Sequence, residues 1–459
     1  MRVCAQAVAD YVKQTDLASR GLIIGYDTRF ASEDFASAAA EVVAGNGIKV
    51  YLCPKATPTP VISFGVLAKK TGGAIIITAS HNSAIWNGFK VKTEDGASAP
   101  TEVIAEIEKH ISDILATRKI NQIPLAEALE QGSVEYLDLA PIYSQQIAKL
   151  VNLEELRRAK LRVVIDPMYG AGAGYLKTLL DGGTIEVTEI NGERNPLFPG
   201  IQPEPIANNL SRLSATVREQ GASVGLATDG DADRLGVIDE KGTFLTTLQA
   251  FALLCLYLLE VRRERGTIVK TITTTSMVNR LGELFNVPVH ETPVGFKYLA
   301  PLMLAENVLI GGEESGGFGF RGHMPERDGI LSGLYFLDLM AKTGKTPSQL
   351  IDYLYTRVGT HHFDRVDIAF PFDRVDIAFP KEERRAIVGH IKNNPPAYID
   401  GVKVVKFDTI DGFRFILADT TWLLIRFSGT EPLLRIYAES STPARVAKLL
   451  ELGKKLAGV

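Results

Sequence analysis

Short apolar runs alternate with amphipathic stretches along most of the chain. Residues 1–14 place apolar side chains at helical spacing, and β-branched runs follow in GLIIGYD, KVYLCP and AIIITA, separated by helical stretches such as SEDFASAAAEVVAGNG. The alternation restarts at LRVVIDP and once more at TIVKTITT. Because alternating strands and helices are typical of helix-covered sheets, the pattern predicts three consecutive α/β/α layered domains with largely parallel sheets.

The C-terminal part of the chain has a different pattern. VKVVKFDTIDGFRFILADTTWLLIRFS and LLRIYAES predict a strand meander, and TPARVAKLLELGKKLAG predicts a closing helix. We therefore expect a smaller C-terminal α+β domain after the three α/β domains. A chain of 459 residues is too long for one hydrophobic core, which agrees with several domains. From the changes of pattern we predict domains at residues 1–138, 139–240, 241–356 and 357–459.

One segment is duplicated. FDRVDIAFP occurs from Phe363 and again, in immediate succession, from Phe372. A single tandem copy is neither a low-complexity tract nor a solenoid repeat. We interpret it as a recent duplication or a sequence-assembly fault without a function.

Composition excludes several classes of protein. The net charge of −4 gives no reason to expect a nucleic-acid partner, which would favour a basic face. Three scattered cysteines indicate a reducing compartment and no disulfide framework. The most apolar stretch, LQAFALLCLYLLEV, is shorter than the roughly 20 residues that cross a bilayer, so we expect a buried helix. With no signal-peptide pattern visible, a cytoplasmic protein without a membrane partner is expected.

Polar loops follow four of the predicted strands. They are ASHNSAIWNGFK, TDGDADRLG, GGEESGG and SGTEPLLR. In sheets of this kind, ligands bind beyond the carboxyl ends of the strands. The four loops are therefore the candidates for chemistry.

The second loop offers Asp229, Asp231 and Asp233 at alternate positions. Three neighbouring carboxylates make an oxygen-rich site suited to Mg²⁺ or Ca²⁺. An EF-hand is disfavoured because its sixth position needs glycine and Arg234 stands there, while a polar turn with capping aspartates remains an alternative. Arg234 beside a metal would suit a phosphoryl group that both bind.

The third and fourth loops suggest a sugar and a phosphate. GGEESGG contains Glu313, Glu314 and Ser315, which offer acceptors for hydroxyl groups. The last loop combines glycine, which lets a ligand approach backbone N–H groups, with fork-shaped arginine donors. Its candidate ligand residues are Arg426, Ser428, Gly429, Thr430 and Arg435. An ordinary surface turn with solvated arginines is the alternative.

The first loop contains two serines, Ser80 and Ser83. A serine hydrolase would need flanking glycines and a separate base, but Ser80 stands between Ala79 and His81. A phosphoryl carrier instead needs a hydroxyl near a divalent cation and cationic groups. The acidic loop and Lys90 could supply them, so Ser80 is the expected carrier.

Taken together, TASHN, NGFK, DGDADR, GGEESGG and RFSGTEP resemble the α-D-phosphohexomutase superfamily, the phosphoglucomutases and phosphomannomutases, over essentially the whole chain. The resemblance implies four domains around a central cleft. It implies a covalent phosphate on Ser80, which also supplies an oxygen to Mg²⁺ beside Asp229, Asp231 and Asp233. Arg234, Lys90 and Arg29 match cationic residues near this site.

The resemblance also implies substrate contacts. Glu313 and Ser315 match the pair that grips sugar hydroxyls, with Lys297 in the same region, and the last loop matches the one that holds the phosphate not being transferred. Lys90 and His323 are the candidate proton acceptors for the sugar hydroxyl. A structural hydrogen-bonding role is the alternative for His323, and His81 is expected to orient its loop.

The implied reaction passes phosphate from Ser80 to a hexose 1-phosphate, giving a hexose 1,6-bisphosphate that turns over and returns its other phosphate. Glucose is favoured, because Gly317 stands where some phosphomannomutases have histidine. A phosphomannomutase or a dual-specificity enzyme is the alternative; a phosphoglucosamine mutase and a catalytically impaired sugar-phosphate-binding relative are less favoured. The sequence predicts no oligomeric state.

Two departures from the resemblance concern the same region. Ser83 replaces a proline that usually follows TASHN, which should loosen the loop. The chain also begins inside the first predicted helix, whereas relatives begin with a strand and an FGTDGWRG-like loop. We expect a truncated reading frame, a first domain lacking an edge strand and a site lacking one cation.

Overall fold

The computed structural model describes residues 1–369, 387–389, 391–392, 395–428 and 433–459. They form two compact units. The first contains Met1–Val269 and Gly295–Ile351, and the second contains Lys270–Val294 and Asp352–Val459. The duplicate segment that starts at Phe372, together with Gly429 and Thr430, lies outside the described residues.

The helices occupy the stretches where the sequence has helical periodicity. They are α1 Arg2–Gln14, α2 Ser32–Gly45, α3 Thr59–Lys69, α4 Thr101–Thr117, α5 Leu125–Glu130, α6 Ala140–Leu150, α7 Leu153–Arg157, α8 Tyr175–Leu180, α9 Ser211–Gln220, α10 Thr247–Leu256, α11 Met277–Phe285, α12 Phe296–Ala305, α13 Gly329–Thr343, α14 Pro347–Val358 and α15 Pro443–Ala457.

The strands fall largely on the β-branched and aromatic runs. They are β1 Leu22–Tyr26, β2 Val50–Leu52, β3 Ala74–Ile77, β4 Phe89–Lys92, β5 Val134–Tyr136, β6 Arg162–Asp166, β7 Glu186–Glu189, β8 Val224–Thr228, β9 Leu235–Ile238, β10 Phe244–Leu245, β11 Thr267–Thr271, β12 Val289–Thr292, β13 Val308–Gly312, β14 Phe318–Phe320, β15 His362–Ala369, β16 Tyr398–Ile399, β17 Val402–Asp408, β18 Phe413–Leu417, β19 Trp422–Phe427 and β20 Leu433–Ser440.

The first sheet has the strand order β4-β3-β1-β2-β5. Its strands run parallel except β4, which pairs antiparallel with β3. Leu22 and Ile24 belong to a core shared with α1, α2 and α4, while Ile23 on the other face meets Gly65 of α3. Strands buried on both faces explain why β1 is an uninterrupted apolar run.

The second sheet repeats this arrangement with the order β10-β9-β8-β6-β7. Strands β6, β7 and β8 are parallel, and β8 turns back into antiparallel β9. A tight turn then leads to β10, which pairs with β9. The Asp239 side chain stabilises this turn by accepting hydrogen bonds from the backbone N–H groups of Lys241 and Thr243. The second sheet therefore extends to Leu245 at the end of β10.

A third set of strands, β11 to β14, follows with helices α10 to α13. In the first unit β13 pairs antiparallel with β14. Helix α10 is buried along nearly its whole length, which confirms the buried helix predicted for LQAFALLCLYLLEV. It is anchored by a capping box between Thr246 and Gln249. Within the described part of the chain, no helix combines the length and apolarity needed to span a bilayer.

The second unit contains a six-stranded sheet with the order β15-β20-β19-β18-β17-β16. All its neighbouring strands are antiparallel, and α15 packs on β19 and β20. This is the predicted meander with its closing helix. The prediction of three α/β domains followed by a smaller α+β domain is thus confirmed.

Candidate functional site

Three of the four polar loops lie in the first unit, and each connects the two antiparallel strands of a hairpin. The serine loop, residues 78–88, joins β3 to β4; the acidic loop, residues 229–234, joins β8 to β9; and the glutamate loop, residues 313–317, joins β13 to β14. Sequence analysis predicted that each loop follows a strand, but it did not predict that the chain then forms a second, antiparallel strand. The hairpins bring the three loops into one polar cluster.

Ser80 and Ser83 occupy different environments. Ser80 is buried, has the left-handed φ of 51°, and donates from Oγ to Asp229 Oδ2 at 2.9 Å. Gly230 lies directly against it, because a Cβ atom there would approach Ser80 O to 2.5 Å. Ser83 is exposed. The structure therefore distinguishes the serine that meets the acidic loop from the one that does not.

The side chain of Arg29 holds the serine loop from beneath. It is fully buried and pairs with Asp27 through Nε at 3.0 Å. Its two terminal nitrogens donate to four backbone carbonyls at 2.6–3.1 Å, those of Ser80, Asn82, Ser83 and Trp86. All five guanidinium N–H groups are thus engaged within the protein. Arg29, which we expected as a cationic neighbour of the phosphate, supports the backbone of the loop that carries Ser80.

The three aspartates of the acidic loop form a compact buried cluster. One carboxylate oxygen from each lies within 4.8 Å of the others. Asp229 Oδ1 accepts from the backbone N–H groups of Asp233 and Arg234, which fixes that carboxylate. Asp231 Oδ1 and Asp233 Oδ1 have no hydrogen-bond partner among the described residues. Buried carboxylate oxygens without donors suit a hard divalent cation.

Charge in this cluster is balanced partly by Lys90. Its ammonium lies 2.6 Å from Asp231 Oδ2 and 3.3 Å from Asp233 Oδ2. Burial would lower the pKa of Lys90, but the two carboxylates outweigh it and raise that pKa. Burial likewise opposes ionisation of Asp231, yet Lys90 holds the pKa of Asp231 well below its usual range. Burial and its two neighbouring carboxylates raise the pKa of Asp229.

The strand β4 carries a second lysine two positions further on. Lys92 is fully buried and forms an ion pair with Glu326, which also accepts from Ser98. Alternate residues of a strand lie on the same face, so Lys90 and Lys92 extend from one side of β4. They connect the first sheet to the acidic loop and to the segment before α13.

Arg234 and His81 meet at Glu204. Arg234 Nη1 lies 3.3 Å from Glu204 Oε1, and His81 Nε2 lies 3.9 Å from the same oxygen. The other imidazole nitrogen of His81 is 3.5 Å from Ser80 Oγ. Burial, together with Arg234, lowers the pKa of His81 to about 2, so the imidazole is neutral. Glu204 was missed from the sequence, where QPEPI shows only proline-rich loop character.

Glu313 of the glutamate loop is held by Arg327, which the sequence analysis also missed. Arg327 Nη1 donates to Glu313 Oε2 at 3.2 Å, and Nη2 donates to Asp233 Oδ2 at 2.7 Å. Ser315 Oγ has no hydrogen-bond partner among the described residues. The available signal was the run Glu-Arg-Asp in GHMPERDG, an unusually charged segment for a position just before a buried helix.

His323 and Lys297 are placed apart from these contacts. His323 has a nearly inaccessible side chain, stacks on Phe64 and lies 2.9 Å from Asp328 Oδ2 through Nε2. Asp328 also caps α13. This environment favours the structural alternative for His323 over the proton acceptor. The ammonium of Lys297 lies over the ring of Tyr298 at 5.1 Å.

The fourth loop belongs to the second unit, where its flanking strands are described. Arg426 on β19 and Arg435 on β20 are directly opposite cross-strand partners. Arg426 Nε donates to Asp411 Oδ2 at 2.8 Å, and Arg435 Nε lies 3.7 Å from Asp367 Oδ2. Like charges opposite each other destabilise a sheet, and each of the two arginines lies near a separate carboxylate. Ser428 follows β19 directly.

Known proteins resemble this chain over nearly its whole length. A phosphoglucomutase/phosphomannomutase from Thermococcus kodakarensis is 32% identical over 95% of this chain and 89% of its own length. The chain belongs to the phosphoglucomutase/phosphomannomutase family. Models of its alpha/beta/alpha domains I, II and III match residues 1–118, 141–242 and 248–358, and the model of its C-terminal domain matches residues 380–452.

Two further proteins resemble the chain to a similar degree. A phosphoglucosamine/phosphogalactosamine mutase from Sulfurisphaera tokodaii is 30% identical over 95% of this chain and 90% of its own length. A crystal structure from Thermus thermophilus, provisionally assigned as a phosphomannomutase, has 33% sequence identity and a TM-score of 0.83. It covers all of this chain and 94% of that one. Family membership therefore establishes a phosphohexomutase but not its sugar.

Proposed function

We propose that the protein interconverts hexose 1-phosphate and hexose 6-phosphate, with glucose favoured, through a phosphoserine at Ser80 and a hexose 1,6-bisphosphate. The observation that carries this proposal is the hydrogen bond from Ser80 Oγ to Asp229 within a buried three-aspartate cluster. A hydroxyl held against a cation site, with Lys90 and Arg234 beside it, is the arrangement that phosphoryl transfer requires.

In the proposed reaction, Asp229, Asp231 and Asp233 would hold Mg²⁺ together with an oxygen at Ser80. Mg²⁺ would neutralise charge that develops on the transferred phosphoryl group. Arg234, held by Glu204, adds a guanidinium whose Nε lies 3.9 Å from the Asp229 oxygen that accepts from Ser80. The positive backbone φ of Ser80 turns its side chain towards the acidic loop, so the loop geometry presents one hydroxyl and not the other.

Lys90 lies beside the aspartates in this proposal, with its ammonium 2.6 Å from Asp231 Oδ2 and 3.3 Å from Asp233 Oδ2. It balances part of the charge of these two carboxylates, which would instead face Mg²⁺ when the ion is bound. The proton of the sugar hydroxyl needs an acceptor when the phosphoryl group is transferred, and Lys90 stays the candidate for that role.

The substrate would be bound at two places. Glu313 and Ser315 are proposed to bind sugar hydroxyls, and Arg426, Ser428, Gly429, Thr430 and Arg435 to bind the phosphate that is not transferred, with Lys297 near the sugar. Glucose is favoured because Gly317 offers no imidazole to the sugar. A phosphomannomutase or a dual-specificity enzyme is the alternative, and the names of the related proteins include both sugars and amino sugars.

The test is a comparison of glucose 1-phosphate and mannose 1-phosphate, assayed side by side with Mg²⁺ and a trace of the matching 1,6-bisphosphate. A larger kcat/KM for glucose 1-phosphate supports the proposal, and a larger value for mannose 1-phosphate supports the alternative. Binding of either sugar phosphate by a folded chain without turnover would identify a catalytically impaired relative and overturn the proposal.

Intact-mass measurement tests the carrier separately. The Ser80→Ala chain should lose the covalent phosphate, whereas the Ser83→Ala chain should keep it, because only Ser80 contacts the acidic loop. Both serines lie on the same loop, so Ser83→Ala is the matched control. Phosphate retained on the Ser80→Ala chain would contradict the assignment of Ser80.

A further inference from the structure

Arg327 contacts both the acidic loop and the glutamate loop through side-chain ion pairs. Its guanidinium contacts three carboxylates: Asp233 at 2.7 Å, Glu313 at 3.2 Å and Glu326 at 3.3 Å. Its backbone N–H also donates to Glu326 at 2.9 Å. The planar fork of an arginine fixes the orientation of carboxylates that a lysine would hold only as a point charge.

The path of the Arg327 side chain runs directly over Gly317. A Cβ atom built on Gly317 would lie 2.2 Å from Arg327 Cδ and 2.9 Å from its Cγ. The φ of Gly317 lies outside the left-handed region, so its backbone alone does not require glycine. The space that a side chain at 317 would occupy is therefore filled by Arg327.

The charge of Arg327 also matters for Glu313. That carboxylate is buried, which raises its pKa, and Arg327 is the largest influence opposing this rise. An ionised Glu313 is the better acceptor for sugar hydroxyl groups. Removal of Arg327 would leave Glu313 buried with less of its charge compensated.

We propose that Arg327 is a positioning residue that fixes Glu313 against Asp233, and that Gly317 lacks a side chain because Arg327 passes through that space. The proposal rests on the proposed function for the role of Glu313 in sugar binding. On this proposal, glycine is required at position 317 by a contact within the protein. Substitutions of Arg327 and Gly317 should therefore have non-additive effects on substrate affinity and on thermal stability.

The binding test uses isothermal titration of glucose 1-phosphate, with Mg²⁺ present, into chains that carry Ser80→Ala and so cannot turn over. Adding Arg327→Ala should weaken binding at least about tenfold, because misplacing a positioned group commonly costs this much or more. Arg327→Lys should retain part of the affinity, since one ammonium can pair with one or two of the three carboxylates. Unchanged affinity in the Arg327→Ala chain would overturn the proposal.

The coupling test is a double-mutant cycle on thermal unfolding and on the same affinity. Gly317→Ala should lower both when Arg327 is present, because the added methyl group displaces the arginine. In the Arg327→Ala background it should change neither, since the added atom would then lie 3.4 Å from the remaining Cβ, an ordinary contact. Additive effects of the two substitutions would overturn the proposal.

Two controls separate this role from general stabilisation. Arg262 is another partly buried arginine, paired with Glu264 at 2.7 Å and lying over the Tyr335 ring. Arg262→Ala should lower the melting temperature without changing affinity. Gly333→Ala, whose added atom meets Leu226 at 3.4 Å, should be tolerated. If the Ser80→Ala parent binds neither glucose 1-phosphate nor mannose 1-phosphate, the proposed function fails. The double-mutant cycle on thermal unfolding then decides the inference alone.

Discussion

The guanidinium of Arg29 donates to the backbone carbonyl of Ser80 at 2.7 Å, from beneath the loop that this serine belongs to. Because the same side chain binds three further carbonyls, it fixes the left-handed backbone at Ser80. A residue in this conformation persists only when its surroundings determine it strongly. The conformation of Ser80 thus depends on one buried arginine.

Arg29→Lys should therefore loosen the serine loop. Lysine keeps the charge but offers three donors in place of five, so at least two of the five hydrogen bonds, and at least one of the four to carbonyls, are lost. We expect faster amide hydrogen exchange in residues 78–88 and a kcat about 10- to 100-fold lower, with a smaller change in KM. Arg194→Lys, at an exposed pair with Glu33, is the control. Unaltered exchange in the loop would refute the supporting role of Arg29.

Mg²⁺ should stabilise the folded chain through the three aspartates. A ligand present at about 100 times its dissociation constant adds about 2.7 kcal/mol of stability, which appears as a rise in melting temperature. Asp231→Asn should abolish this rise, because it removes one carboxylate from the buried cluster. The exposed Asp181→Asn should leave it intact. An equal rise in all three chains would place the ion elsewhere.

Asp411 should determine how well Arg426 binds phosphate. Asp411 accepts from Arg426 Nε and from the backbone N–H of Val294, so it holds the arginine to a fixed point of the second unit. Asp411→Asn keeps the shape but removes the negative charge that pairs with Arg426. We expect KM for the sugar phosphate to rise about tenfold or more with kcat less affected, since a hydrogen bond to a charged group contributes about 1.5–3 kcal/mol.

The control for this prediction is Asp419→Asn, which weakens a different arginine pair, with Arg445, on the same unit. It should leave KM unchanged. A matching rise in KM for both variants would show that loss of any ion pair in the second unit is sufficient, and the specific role of Asp411 would be rejected.

Asp166 should make stability depend on pH. Burial raises its pKa from 3.8 to about 6, despite hydrogen bonds from Asn191. As pH rises from about 4 to about 6, the unfolded chain loses this proton first, so this group makes folding less favourable by up to about 3 kcal/mol. Asp166→Asn has no such proton and should gain stability relative to the parent across this window.

The measurement is the melting temperature of both chains across that pH range, with the exposed Asp113→Asn as control. The difference between Asp166→Asn and the parent should increase with pH and then level off above about pH 6. A constant difference would mean that Asp166 is ionised throughout.

The sequence predicted the elements and loops well, because strand and helix periodicity is a local property. The three aspartates are visible for the same reason, since their spacing lies within five residues. Arg327 was missed because its partners, Asp233 and Glu313, are distant in sequence and only the packed hairpins bring them together. The sequence also did not predict the buried contacts of two candidate residues. His323 pairs with Asp328, and Arg29 donates to backbone carbonyls of the serine loop.

The ion pair between Lys92 and Glu326 joins residues 234 positions apart. Ribosomes add about 5–20 residues per second, so the counter-charge of Lys92 is synthesised roughly 10 to 50 seconds after the lysine itself. Throughout that interval β4 carries a cation that could be buried only at a large cost in free energy. The N-terminal sheet can therefore bury Lys92 against its counter-charge only after translation is well past the middle of the chain.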